Sequence, residues 1–291
     1  MRIPDNASYM NFLYDLQKTQ EQFLDAQSQV TSGRKVQKPS DDPGAASDIV
    51  RLSGEKSEDE QFLKNIESAR SRLSATDVML DGVEIMVERA RQLGLSSLGS
   101  LSNASAYKAE IEGLRDQLIQ SANATHQGRY LFGGSVTTAA PFVKQNDSSV
   151  TYGGNSTAIE LQVGRNATLQ AQLPGDEVFA GSVDIFSTMK DLLAALDARN
   201  HDGVAAQVKK LEQFSETVST ARSRVGGFIN VADAMSSQLS AAGLSRAKEL
   251  NDVQSADTAQ AITQLTLSQT SLQATLAVGA RIAQRSLLDY L

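Results

Sequence analysis

The sequence predicts a mainly α fold: an elongated rod of long antiparallel helices with a small β-rich insertion at its distal end. Three observations carry this expectation. Both ends of the chain, about 5 to 31 and from about 256, show apolar residues at heptad spacing over a polar background. Inside them lie further helical patterns, about 41 to 95, 105 to 126 and 204 to 239. Between residues 128 and 179 the texture switches to short alternating runs, separated by Gly-Gly, Asn-Asp and Pro-Gly turn pairs. The order helix, helix, β, helix, helix runs out and back, which places both termini at one end and the β piece at the other.

The first helix carries Tyr9, Leu16, Phe23 and Val30 seven apart, with Phe12, Leu13 and Ala26 on the adjoining stripe. The rest is Gln, Asp, Thr, Ser and Lys. At 1.5 Å per residue it is roughly 40 Å long, with one narrow apolar face that needs a partner. Next comes "SGRKVQKPSDDPGAAS", residues 32 to 47, with two prolines, two glycines, adjacent aspartates and three basic residues. It reads as a mechanical joint built from Gly33, Arg34, Lys35, Pro39, Ser40, Asp41, Asp42 and Pro43. Pro39 ends what precedes it, Ser40 is placed as the N-cap of the next helix, and the acidic pair suits a first turn that tolerates Pro43. As a metal or acid–base site the aspartate pair lacks a third ligand or a pocket.

The second helix pairs large with small residues: Ile66/Ala69, Leu73/Thr76, Leu80/Val83 and Val87/Ala90. The third sets Ile111, Leu114, Leu118 and Ala122 on one face. In the insertion the runs "RYLF", "SVTY", "AIELQV" and "ATLQAQL" read as strands, and Tyr130, Phe132 and Phe142 as a small core of their own. A short helix, "VDIFSTMKDLLAALDAR", follows. Then come the best heptads of the chain, Val204, Leu211, Val218, Val225, Ala232 and Leu239, with Phe214, Ala221, Phe228 and Met235. Gly226-Gly227 falls among them at about 1 kcal/mol per glycine relative to alanine, a cost the pattern is expected to override. The last helix carries Ile262, Leu265, Leu272, Leu276, Ile282 and Leu287, diluted by Ala, Thr, Ser and Gln.

Composition narrows function. The 291 residues include no Cys, no Trp and only two His, so thiol chemistry and cysteine-held metals are excluded. His126 and His201 stand apart, and no phosphate loop, dinucleotide fingerprint or nucleophile elbow is present. No catalytic, cofactor-binding or metal-ligating residue is therefore expected, nor any cofactor. The net charge of −7 argues against nucleic acid as a partner. No stretch is long and apolar enough to span a membrane, and the N-terminus does not read as a cleaved signal peptide.

Several stretches carry a family likeness. "QVTSGRKVQKPSDDPGAAS" resembles the N-terminal region of bacterial flagellins and their junction relatives. Within that superfamily, prolines on both sides of "SDD", the stretch "GLRDQLIQSANATHQGRYLFGGSVTTAAPF", "LPGDEVF" and the terminal "RSLLDYL" resemble the hook–filament junction proteins of the L type. The likeness covers nearly the whole chain and is weakest over about 143 to 172.

The resemblance implies a structural subunit, not an enzyme. It implies a junction ring between the hook-side junction protein and the flagellin filament, and partners that are copies of itself, the other hook-associated junction protein and flagellin. It also implies a cytoplasmic export chaperone at the C-terminal helix, export by the flagellar type III system, and an extracellular place on the flagellum. The alternative within the superfamily is a minor flagellin; outside it, a coiled-coil scaffold. The expected organisation is 1–35 with 255–291 as terminal coiled-coil helices disordered until assembled, 36–133 with 185–254 as helical body, and 134–184 as β-rich insertion. The expected assembly interface is Tyr9, Phe12, Leu16, Phe23, Val30, Ile262, Leu265, Leu272, Leu276 and Leu287. Arg34, Lys35 and Lys38 are expected to face acidic residues of a neighbouring subunit.

Overall fold

The computed structural model describes residues 3–99 and 104–288, without the side chains of 3–6, Ser8, Ala104 and 282–288. The elements, in order, are helices α1 (Ile3–Ser32), α2 (Pro43–Gly99) and α3 (Ala104–Ala122); strands β1 (Thr125–His126), β2 (Arg129–Tyr130), β3 (Phe142–Lys144), β4 (Val150–Tyr152), β5 (Glu160–Gly164) and β6 (Ala167–Gln170); and helices α4 (Gly175–Phe179), α5 (Ile185–Asp197), α6 (His201–Gln254) and α7 (Thr258–Leu288). The fold is mainly α with long helices and a small strand-containing region. Two compact units form: Met1–Ser57 with Ala242–Leu291, and Glu58–Ala241. The helix breaks at 33–42 and 255–257 lie inside the first unit, so the units divide within α2 and α6 instead of at the breaks.

In the larger unit all eight residues of the expected α2 pairs, from Ile66 to Ala90, are at most 1% exposed. α6 contributes Val204, Leu211, Phe214, Val218, Ala221, Val225 and Ala232 to the same interior, and runs unbroken through Gly226-Gly227. Ladder packing on both sides of the pair outweighs the glycines' entropic cost. α2 and α6 approach closely at Gly94, where a Cβ would stand 2.6 Å from Val208 Cγ2. α3 seals Ile111, Leu118 and Ala122, and α5 lies against it, with Lys108 Nζ 2.8 Å from Asp197 Oδ2. Asp184 caps α5 by accepting from the amides of Phe186 and Ser187.

The strands form three separate antiparallel hairpins, β1–β2, β3–β4 and β5–β6. Gln127 and Gly128, both at positive φ, make the two-residue turn of the first. "RYLF" is strand only over Arg129–Tyr130; Leu131 and Phe132 leave the ladder and sink into the interior. The expected separate aromatic core does not form. Phe132 meets Phe179 edge-on at 5.0 Å, Phe142 meets Phe179 and Phe186 at 5.2 Å, and Phe179 reaches Phe214 of α6 at 6.5 Å. Too few residues lie in the hairpins to close a core, so their aromatics join the helical one. Likewise β5–β6 lays Val163 and Leu169 against Ile66, Ala69 and Ala232.

Candidate assembly surfaces

In the smaller unit α1 packs on α7. The ring of Phe12 fills the notch left by Gly279, where a Cβ would stand 2.1 Å from Phe12 Cζ. At the far end of α1, Gly33 O accepts from Ala256 N at 2.9 Å. The two helices are therefore antiparallel, and the heptads fix which residues share a layer: Phe12 with Gly279, Leu16 with Thr275, Thr19 with Leu272, Phe23 with Ser268, Ala26 with Leu265, Val30 with Ala261. Each layer sets one large side chain against one small one. Burial agrees, since Thr19, Ala26, Ala261 and Ser268 are sealed while their larger partners are half-buried.

Closing this seam leaves a second apolar set outside. Met10, Leu13, Tyr14 and Leu24 on α1, and Leu267 and Val278 on α7, are 40 to 68% exposed. Of the sequence-predicted interface, Phe12, Leu16, Phe23, Val30, Leu265 and Leu272 lie in the seam. Tyr9, Ile262 and Leu276, each about half exposed, lie outside it. The side chain of Leu287 lies outside the described residues. The outward set escaped the periodicity because a heptad count rewards the seam; the visible signal was apolar residues in excess of it, Met10 and Tyr14 above all.

The joint is built from local carboxylate and backbone bonds. Gly33 ends α1 at φ +67°, a conformation glycine adopts without strain. The Asp41 carboxylate accepts from the amides of Gln37 (3.1 Å) and Lys38 (2.9 Å), and these bonds hold its pKa below the usual carboxylate value. The N-cap of α2 is not Ser40 but Asp42, whose Oδ1 accepts from Ala45 N at 3.0 Å, with Pro43 in the first helical position. Ser40 sits one turn too early, because Pro39, Ser40 and Asp41 are spent on the preceding turn, closed by Asp41 N to Lys38 O. Gln37 ties this segment back to α1, accepting from Ser28 Oγ and donating to Ser32 Oγ. Val36 is the joint's buried apolar anchor.

Opposite lies a segment the sequence reading missed. Lys35 N donates to Gln254 O at 2.8 Å, Ala256 N to Gly33 O, and Arg34 and Ser255 form an antiparallel bridge between them. Asp257 then caps α7, accepting from the amides of Ala259 and Gln260. A cleft of about 250 Å³ opens beside this clasp, lined by Gln29, Lys35, Asp257, Gln260 and Gln264. Lys38 reaches Asp25 at 3.5 Å; among the described residues, Arg34 and Lys35 have no ion-pair partner.

Comparison with known proteins bears on what these surfaces serve. A family model of the bacterial flagellin N-terminal helical region matches residues 3–137. The chain is 27% identical to flagellar hook-associated protein 3 of Escherichia coli over 94% of each chain, and 29% identical to that of Salmonella typhimurium over 62% of this chain and 57% of the relative. A solved structure of a flagellar hook-associated protein from Vibrio parahaemolyticus superposes with a TM-score of 0.69 at 25% identity, covering 74% of this chain and all of that one. The chain thus resembles bacterial flagellins over its N-terminal helical region and hook-associated protein 3 along nearly its whole length. Two of the stretches that carry the likeness, 113–142 and 173–179, meet physically in the larger unit. Phe132 O, in "RYLFGG", accepts from Gly175 N of "LPGDEVF" at 2.9 Å and from Tyr152 Oη at 3.0 Å. Asn123, of "QSAN", clamps the Phe142 backbone through both its amide atoms. These motifs are one packing knot, not a chemical site.

Proposed function

We propose that this chain is a member of the flagellin superfamily, a structural, non-catalytic subunit of the bacterial flagellum that forms the junction between the hook-side junction protein and the flagellin filament. The similarity to hook-associated protein 3 along nearly all of both chains supports a junction role over that of a filament subunit. Its partners are copies of itself, the other hook-associated junction protein and flagellin. It leaves the cell by the flagellar type III route, with an export chaperone on its C-terminal helix beforehand.

The observation that carries the mode of assembly is the apolar set left outside the closed α1–α7 seam. On two helices with so thin a seam, it needs cover that the described residues do not supply. Neighbouring subunits supply it, with Tyr9, Ile262 and Leu276 at the flanks of the contact. The seam's layers bury little per turn, so the helices within 1–35 and 255–291, α1 and α7, are disordered in the free subunit and order on incorporation, which keeps subunits from polymerising early. Arg34 and Lys35, without an ion-pair partner among the described residues, face carboxylates of a neighbour.

The test is incorporation into flagella sheared from cells, read by immunoblot. Leu24→Asp and Leu276→Asp are expected to be exported yet absent from flagella, with the larger unit folded by circular dichroism. Incorporation of both at the unsubstituted level would contradict the assignment.

A further inference from the structure

We propose that the clasp of Gly33–Lys35 with Gln254–Ala256 is a register-setting device. It forms in the free subunit and fixes the alignment in which α1 and α7 meet. Part of this rests on the reading that both terminal segments are disordered before assembly; the clasp itself does not.

Its supports lie mostly outside the terminal helices. Two backbone hydrogen bonds flank the Arg34–Ser255 bridge. Asp41 holds the chain direction on one side and Asp257 on the other. The stems leading to it are tied by Arg246 Nε to Glu55 Oε2 at 3.3 Å and packed around buried Leu52. Apart from the Asp257 cap, whose donors are the first amides of α7, these supports lie outside α1 and α7.

Its consequence follows from geometry. A slip of one residue moves a strand about 3.3 Å and breaks both bonds. The same slip along α7, whose pitch is about 5.4 Å, takes Phe12 off the Gly279 notch. Large–small layers tolerate one alignment only, because Phe12 or Phe23 set against Leu265 or Leu272 overfills a layer. The clasp and the notch, at opposite ends of the seam, encode the same alignment. Two melted segments pinned at a common origin also avoid most of the loop-closure cost of finding each other.

The absence of native cysteine makes the test clean. Arg34 and Ser255 form a non-hydrogen-bonded antiparallel pair, with Cα atoms expected about 4.5 Å apart, inside disulfide range. Purified full-length R34C/S255C, oxidised with copper phenanthroline, is expected to close an intrachain disulfide at least about tenfold faster than R34C/V253C, whose partner lies two residues back in the last turn of α6. Equal rates, or no intrachain product, would overturn the proposal.

Ala256→Pro deletes one of the two donors just before the α7 cap, where proline is compatible with the helix start. It is expected to lower incorporation several-fold; with R34C/S255C added, oxidation is expected to raise incorporation above that of the reduced form of the same variant, a comparison in which the loss of Arg34 cancels. Unchanged incorporation of Ala256→Pro, or lower incorporation of oxidised than of reduced R34C/S255C, would also overturn it. Amide exchange on the free subunit separates the two readings. Strong protection across α1 and α7 would refute terminal disorder while leaving the 34–255 disulfide result, and hence the clasp, intact.

Discussion

Asp42, not Ser40, begins α2, and the difference is measurable. Asp42→Ala removes the bond to Ala45 N and is expected to cost about 1 kcal/mol in urea unfolding, while Ser40→Ala costs nothing measurable. The sequence did show a cap-rich run ahead of Pro43. It did not show which oxygen would be spent on the preceding turn, because that depends on the chain's path and not on propensity. Asp147 makes a second residue-level case. Its carboxylate accepts from the Ser149 hydroxyl and amide and from Lys190, which lowers its pKa to about 2. A depressed folded pKa adds stability above the ordinary carboxylate range and loses it as pH falls through the folded value. Order in the β3–β4 turn is therefore expected to decline between about pH 4 and pH 2, read from Ser149 amide shifts. Asp147→Asn is expected to remove that pH dependence.

The helices were legible because their periodicity records two-sided packing. Every expected large–small pair of α2 is sealed, and α6 holds its heptads through a Gly-Gly pair. Leu80→Ala in this interior is expected to cost about 2–5 kcal/mol. The hairpins were legible as turns and short runs, but not in their packing. Phe132, Phe142 and Phe179 come together from three distant stretches, and no local pattern announces a three-way contact. Gly175→Ala tests that knot. A Cβ there would stand 2.5 Å from Phe132 O and 2.9 Å from Phe142 Cζ, so the change is expected to destabilise the larger unit by about 1–3 kcal/mol, seen as a lower urea midpoint. At the seam, Gly279→Val is expected to displace Phe12 and lower incorporation while leaving that midpoint unchanged.

For the whole molecule, the sequence showed dense heptads in α6 and dilute ones in α1 and α7, while the joint it marked lies inside the smaller unit and not between the two units. Of the stripe seven residues apart, Leu16, Phe23 and Val30 lie in the seam between the chain's own terminal helices and Tyr9 lies outside it, while the apolar excess that such a count discards is exposed. The partner strand at 254–256 was invisible because a two-bond clasp has no side-chain signature. A thin seam, an uncovered outer face and a clasp that fixes alignment suit a subunit built to be finished by its neighbours. Gold-antibody labelling of isolated flagella in the electron microscope asks where that happens. One narrow band between hook and filament is the predicted result; label along the whole filament, or none on the flagellum, would contradict the junction role.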